Sequence, residues 1–127
     1  MYELNNPGNI RVSAETFQGE VRPGRHTAFK EFASMAYGFR AMFVVLRTYM
    51  TKHHCRTIED IVTRWAPPTE NHTESYIGFV EKAAGIDRKR SLKFCLDDLG
   101  PIVTCMARME NGRWPEAQDV AAGWRLL

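Results

Sequence analysis

The chain has 127 residues, of which 44% are hydrophobic and 25% charged, and a formal net charge of +2; this is the size and apolar content of one globular domain over residues 1–127. No uncharged apolar run approaches the roughly 18 residues of a membrane span, the longest being Ala41 to Leu46. A charge of +2 falls short of the strongly basic surface that marks a nucleic-acid binder, although it suits a mildly anionic partner. The first residues, Met1 to Pro7, show neither a basic n-region nor an apolar h-region, so no secretory signal is expected and the protein is expected to be made in the cytoplasm. Three cysteines, Cys55, Cys95 and Cys105, cannot all pair and are far too sparse for a disulfide scaffold, which points to reduced thiols. Neither a metal nor a cofactor is expected. His53, His54 and Cys55 are consecutive rather than spaced as zinc ligands, and Walker A, G-x-G-x-x-G and G-x-S-x-G motifs are absent.

Residues 1–33 are punctuated by glycine and proline and carry short apolar alternations, Phe17 to Val21 and Thr27 to Phe32, which read as loops with one or two short strands. The period becomes helical at Ser34, a good N-cap, and the following helix carries Phe39, Ala41, Met42, Phe43, Val44, Val45 and Leu46 around more than half its circumference, as expected of a central helix. Thr57-Ile58-Glu59-Asp60 resembles a capping box and opens a short helix through Trp65, which Pro67-Pro68 must end. A third helix is expected from Asn71 or Thr73 to Gly85. A fourth starts at Asp97 or Asp98, with Pro101 in its first turn, and ends at Gly112; a fifth runs from Pro115 to about Trp124. The sum is an α+β domain, mainly α, with a small N-terminal β or loop lobe.

Glu110 stands in the last turn of the otherwise apolar fourth helix, where the dipole disfavours an acid. If Met106 and Met109 line a cleft, burial and the carbonyl end of the helix both favour a protonated carboxyl, as a general acid requires; otherwise Glu110 is an exposed helix-end glutamate. Glu20, in a Gly-flanked turn of the N-terminal lobe, is a second candidate acid. Asn5-Asn6-Pro7-Gly8-Asn9-Ile10-Arg11 offers amides and one cation, an inventory suited to sugar hydroxyls, N-acetyl groups or carboxylates, with Asn6, Asn9 and Arg11 as binding candidates; an Asx-turn around Pro7-Gly8 is the equal alternative. Between the second and third helices, Trp65, Asn71 and Tyr76 supply an aromatic face, an amide and a phenol, a mix common in carbohydrate clefts, with core packing the alternative for both aromatics.

Taken in order, these segments resemble a family of small phage- and prophage-encoded proteins, described as virion structural or endolysin-like, that is associated with the lysozyme-like superfamily. The resemblance rests on Asn5 to Arg11, Phe29 and Phe32, Gly38 to Ala41, Arg64-Trp65-Ala66-Pro67-Pro68 with Glu70-Asn71, Thr73 and Tyr76, and Glu110-Asn111-Gly112. It implies a lysozyme-like helical domain that cleaves peptidoglycan glycan strands as a muramidase, lytic transglycosylase or glucosaminidase. Glu110 would be the acid and Glu20 a second carboxylate. The alternative it implies is a non-catalytic virion or secretion-associated component that binds peptidoglycan. The place of action would be the periplasm, the cell wall or the phage particle. In flagellar-type glucosaminidases, the catalytic glutamate of a helix end precedes segments similar to Asn6–Arg11, Glu20 and Phe29–Phe32. Here the helix comes last, an order that a circular permutation would produce, provided that Glu110 folds back beside Asn9.

Overall fold

A computed structural model describes residues 1–69 and 72–127. Five helices and one two-stranded antiparallel sheet form the expected mainly helical α+β architecture: β1 (Glu20–Val21), β2 (Glu31–Phe32), α1 (Met35–Lys52), α2 (Ile58–Trp65), α3 (Thr73–Ala84), α4 (Leu96–Asn111) and α5 (Ala117–Arg125). The strands are two residues long, with Glu20 opposite Phe32 and Val21 opposite Glu31. Pairing continues outside them through Lys30 N–H to Ile10 O at 2.9 Å and Val12 N–H to Ala28 O at 2.9 Å, so residues 10–12 line up against 28–30.

Two buried polar groups hold this small lobe together where apolar residues are few. Asn6 is fully buried, and its amide donates to Ile10 O at 2.9 Å and Lys30 O at 2.8 Å while accepting from Ile10 N–H at 2.9 Å. Both donors of that amide are therefore used within the protein, and its role is the structural one. Lys30 sends a fully buried ammonium to both oxygens of Glu20, each at 3.0 Å, and to Glu15 O at 2.7 Å. Phe17, Phe32 and Ala41 seal the lobe against α1 with a small apolar cluster.

The main core surrounds α1, whose Phe39, Met42, Phe43 and Leu46 are fully buried, as their spacing predicts. Ser34 caps it through Oγ, which accepts from Tyr37 N–H. Thr57 caps α2 by accepting from Asp60 N–H at 3.1 Å, but the Asp60 carboxylate reaches Arg56 N–H rather than the cap residue itself, because an aspartate is one methylene short of the usual glutamate. Ile61, Val62, Ile77, Val80, Leu99, Ile102 and Met106 complete the core, and Trp124 of α5 meets Phe43 edge-on at 5.1 Å.

Several boundaries differ from expectation. Thr73 is the first residue of α3 rather than its cap, since its hydroxyl donates to Ala66 O at 2.6 Å and pins the start of α3 to the end of α2. Cys95 occupies the N-cap of α4, and Asp98 is its third residue, in the first turn, accepting from Lys93 N–H at 2.8 Å and Arg90 at 2.9 Å. Pro101 consequently falls in the second turn, inside the helix. The last helix starts two residues after Pro115.

Gly38 fixes how the lobe sits on the bundle. A Cβ there would fall 2.1 Å from Asn5 O and 2.6 Å from Pro7 Cδ, so residues 5–7 lie directly on the first turn of α1. Gly38→Ala is therefore expected to lower stability to urea by about 2 kcal/mol or more, because backbone rather than a flexible side chain must move. Gly78→Ala, in open space on α3, is the matched control and should be neutral or slightly stabilising.

Candidate functional site

The helix α4 ends where its side chains meet the N-terminal segment. Gly112 takes a left-handed conformation, φ 72°, and turns the chain away immediately after Glu110 and Asn111. The Asn111 amide donates to Pro7 O at 2.6 Å and Ala107 O at 3.3 Å. Asn9, itself left-handed at φ 51°, donates to Glu110 O at 3.1 Å and to Glu110 Oε1 at 3.2 Å. The amino nitrogen of Met1 touches Asn9 Oδ1 and Asn111 Oδ1, closing the cluster.

The second carboxylate oxygen of Glu110 faces the helices. Glu110 Oε2 accepts from Trp65 Nε1 at 3.3 Å and from the Tyr76 hydroxyl at 3.1 Å. Trp65 is the last residue of α2 and Tyr76 stands in the first turn of α3, so the Ala66–Thr73 contact that joins these helices also aims both donors at one acid. Burial, and then the charge of Glu110, push the Tyr76 phenol well above its ordinary range, so Tyr76 serves as a neutral donor. Three donors offset what the carbonyl end of α4 would otherwise cost an acid at this position.

Glu110 borders an open cavity of about 400 Å³, walled by Asn9, Ile10 and Arg11, by Phe29 of the lobe, by Val45 and Tyr49 of α1, and by Trp65. The Trp65 ring packs against Gly8 and meets Tyr49 edge-on at 6.4 Å. Arg11 stacks over Phe29 at 5.0 Å and Arg64 over Tyr49 at 5.3 Å. The arrangement can hold a mostly uncharged ligand against aromatic and amide surfaces and deliver or receive one proton at Glu110.

No protein-family model matches this chain. It is 39% identical over 119 residues to protein P5 of Pseudoalteromonas phage PM2, a match that spans 91% of this chain and 72% of the relative. The chain belongs to the P5 family. Its family is thus that of a phage protein.

In this P5-family protein Glu110, Asn9, Trp65 and Tyr76 converge, and Arg11 lies on the same cavity wall. Their directions differ from expectation: the side chains of Asn9, Trp65 and Tyr76 point at the carboxylate rather than into free space. Met106 does not line the cleft, because it faces the core, and Met109 lies on the surface. Asn6 is withdrawn into the lobe by its three hydrogen bonds. Glu20 is not brought to this cavity. Its side chain is almost fully buried, bound by Lys30 and accepting from Phe17 N–H at 3.1 Å, and it faces a different cavity beside Arg22 and His26. Asn71 lies outside the described residues. Among those residues, no group of three or more metal-ligating side chains is placed to hold an ion, and no helix is long and apolar enough to cross a membrane. The cysteines are unpaired, and burial pushes the Cys55 and Cys105 thiols up.

Sequence reading missed Phe29 and Tyr49 as cavity walls. Tyr49 stands one turn after Val45 on α1 and reads as a continuation of its apolar stripe.

Two measurements check these assignments. Lys30→Met should cost about 3 kcal/mol in urea denaturation by leaving the buried Glu20 with Arg22 at 3.5 Å as its one remaining cation, and adding Glu20→Leu should recover most of that loss. Tyr76 gives a pH signature. Its unfolded phenol ionises near pH 10 while the folded one stays protonated, so the unfolded state binds fewer protons and stability falls as pH rises above 10. By pH 11 the decline from this residue is about 1.4 kcal/mol, and Tyr76→Phe should show a correspondingly shallower loss between pH 9 and pH 11.

Proposed function

We propose that this P5-family protein cleaves the glycan strands of peptidoglycan, as a muramidase, lytic transglycosylase or glucosaminidase on a lysozyme-like scaffold, with Glu110 as the general acid. The observation that carries the reading is the convergence on Glu110 of donors from three separate segments, Asn9, Trp65 and Tyr76, at the edge of an open cavity with aromatic walls. Scission of a glycosidic bond needs a proton on the leaving oxygen and negative charge near the oxocarbenium-like sugar. Glu110 supplies both in turn. Oε2 carries two donors and Oε1 one, so Oε1 has the lone pair free to hold the proton that is given up.

Asn9, Trp65 and Tyr76 act on this reading as positioning residues for the carboxyl, while Arg11 meets the glycan. The muramyl 6-hydroxyl completes the reaction by internal attack, or a water does so where another carboxylate activates it; Glu20 is committed to Lys30. The juxtaposition of residues 7–9 with 110–111 supports the permuted order of segments. The substrate places the site of action in the periplasm or cell wall, reached from a phage particle or through a secretion system.

Kinship with a phage protein favours a second reading, a non-catalytic component of a phage particle or secretion assembly that keeps the scaffold to bind peptidoglycan. Zymography on purified cell walls separates the two. Wild type should clear the wall and Glu110→Gln should clear it at least about 100-fold more slowly, since the general acid is lost. Equal clearing by both proteins would remove Glu110 from the mechanism, and sedimentation onto walls without any clearing would establish the second reading.

A further inference from the structure

Phe29 borders two cavities. One is the cavity of Glu110; the other, of about 530 Å³, lies in the lobe and is lined by Val12, Val21, His26 and Thr27 as well as by Phe29. The two adjoin along one stretch of paired chain: Ile10 and Arg11 wall the first, Val12 walls the second, and successive residues of an extended chain are only about 3.3 Å apart.

The charged side chains around the second cavity are engaged within the protein. Lys30 and Arg22 meet Glu20, and Arg25 meets Glu31. Arg22 also donates to Ser13 O, Glu15 O and Thr16 Oγ1, and Arg25 to Glu3 O. What is left for a ligand is neutral. His26 Nδ1 accepts from Ala28 N–H at 3.0 Å and from Phe29 N–H at 3.2 Å, so the ring hydrogen sits on Nε2, which makes no hydrogen bond among the described residues. The same two bonds, with the Phe29 ring 5.3 Å away, hold the imidazole in place, so this donor is fixed before any ligand arrives. Thr27 adds an exposed hydroxyl that likewise has no partner among those residues. Val12 and Val21 are exposed as well, and they give the cavity apolar surface. Apolar walls with a few fixed, uncharged hydrogen-bonding groups suit a sugar ring, which presents C–H faces and hydroxyls together.

A glycan is a polymer, so a strand seated at Glu110 has to run on beyond the first cavity, and at Phe29 a neutral surface of the right chemistry continues. Resting on the glycan reading above, we infer that the second cavity is a distal subsite of the same cleft. It holds further sugars of the strand whose scissile bond lies at Glu110, with His26 Nε2–H and the Thr27 hydroxyl as its hydrogen-bonding groups and Phe29 as the shared wall. Sugars that reach it are already tethered through the first cavity, so their contacts form within one complex and add to affinity without a second association step. The protein is therefore a reader of long strands.

The test compares the binding of two peptide-stripped glycan probes, a single disaccharide unit and strands of many units, in the Glu110→Gln background so that turnover does not consume them. The readout is the ratio of the two affinities. The long strands should bind at least about tenfold more tightly than the disaccharide. His26→Asn keeps a side-chain oxygen that can accept from the turn but loses the Nε2 donor, and Thr27→Val removes a hydroxyl to which nothing in the fold is bonded. Each should lower the ratio about fivefold, and the two together should nearly abolish it. Thr27→Val alone decides the matter if His26→Asn does not fold by circular dichroism. A ratio near one in the parent protein, or a full ratio kept by the folded variants, overturns the inference while leaving the glycan reading intact. Binding of neither probe brings down the glycan reading itself.

Discussion

The amide of Asn9 on Glu110, together with that of Asn111 on Pro7, is the contact on which the rest of the site depends. It joins residues about a hundred positions apart, and it does so at a helix end, where four carbonyls would otherwise lack partners. Asn9 covers Glu110 O and Asn111 covers Ala107 O, so the side chains that shut the lobe onto the bundle also finish the helix. Gly38 makes this closure possible by letting residues 5–7 rest directly on α1, and Gly112 makes it stable by turning the chain out of the way. The cavity is what is left between the two bodies once they are pinned at this corner.

Glu20 and Glu110 meet partners of different kinds. Glu20 receives the buried Lys30 ammonium, with Arg22 at 3.5 Å beside it. Glu110 receives an indole N–H, a phenol and an amide, none of which carries charge. If a proton is placed on Oε1, Oε2 remains a carbonyl oxygen that still accepts from Trp65 and Tyr76, so the geometry survives the change of state. Of the two, Glu20 is tied to cations and Glu110 to neutral donors at the edge of the cavity. That contrast rests on partner chemistry rather than on burial.

The helices were legible because their determinants are local. Ser34, Thr57, Gly85 and Gly112 punctuate the chain where spacing says they should, and the apolar stripe of α1 identifies the centre of the core. The misplaced boundaries share a cause. Thr73 and Asp98 are residues that suit an N-cap, but each found a better partner in an adjacent loop or helix, Thr73 on Ala66 and Asp98 on Lys93 and Arg90. The site was half legible. Polar residues clustered around Asn9, Trp65, Tyr76 and Glu110 stand out as a group, but which way an amide or an indole points is decided by the packing of four segments. Asn6 and Asn9 show the limit most plainly: three positions apart and chemically identical, one is consumed by the lobe and the other is handed to Glu110. Glu20 deceived for a similar reason, since its cation lies ten residues further on, across the turn between β1 and β2.

The long reach of the Asn9–Glu110 contact also sets the order in which the parts form and open. The corner where residues 7–9 meet 110–111 closes nearly the whole chain and is made chiefly of polar contacts. Its opening free energy is accordingly lower than that of the core around Phe39, Phe43 and Ile102. The lobe, held to itself by Asn6 and the Lys30–Glu20 pair, can stay folded while this corner parts, because none of those bonds crosses to α4. The small lobe meets the bundle at this polar corner and also on α1, through the Phe17, Phe32 and Ala41 cluster and the close approach of residues 5–7 to Gly38. The cavity opens between the lobe and the bundle beside this corner. A polymer lying against Phe29 of the lobe and Tyr49 of α1 would bridge the same two bodies, and its binding would favour the arrangement in which both rings touch it at once.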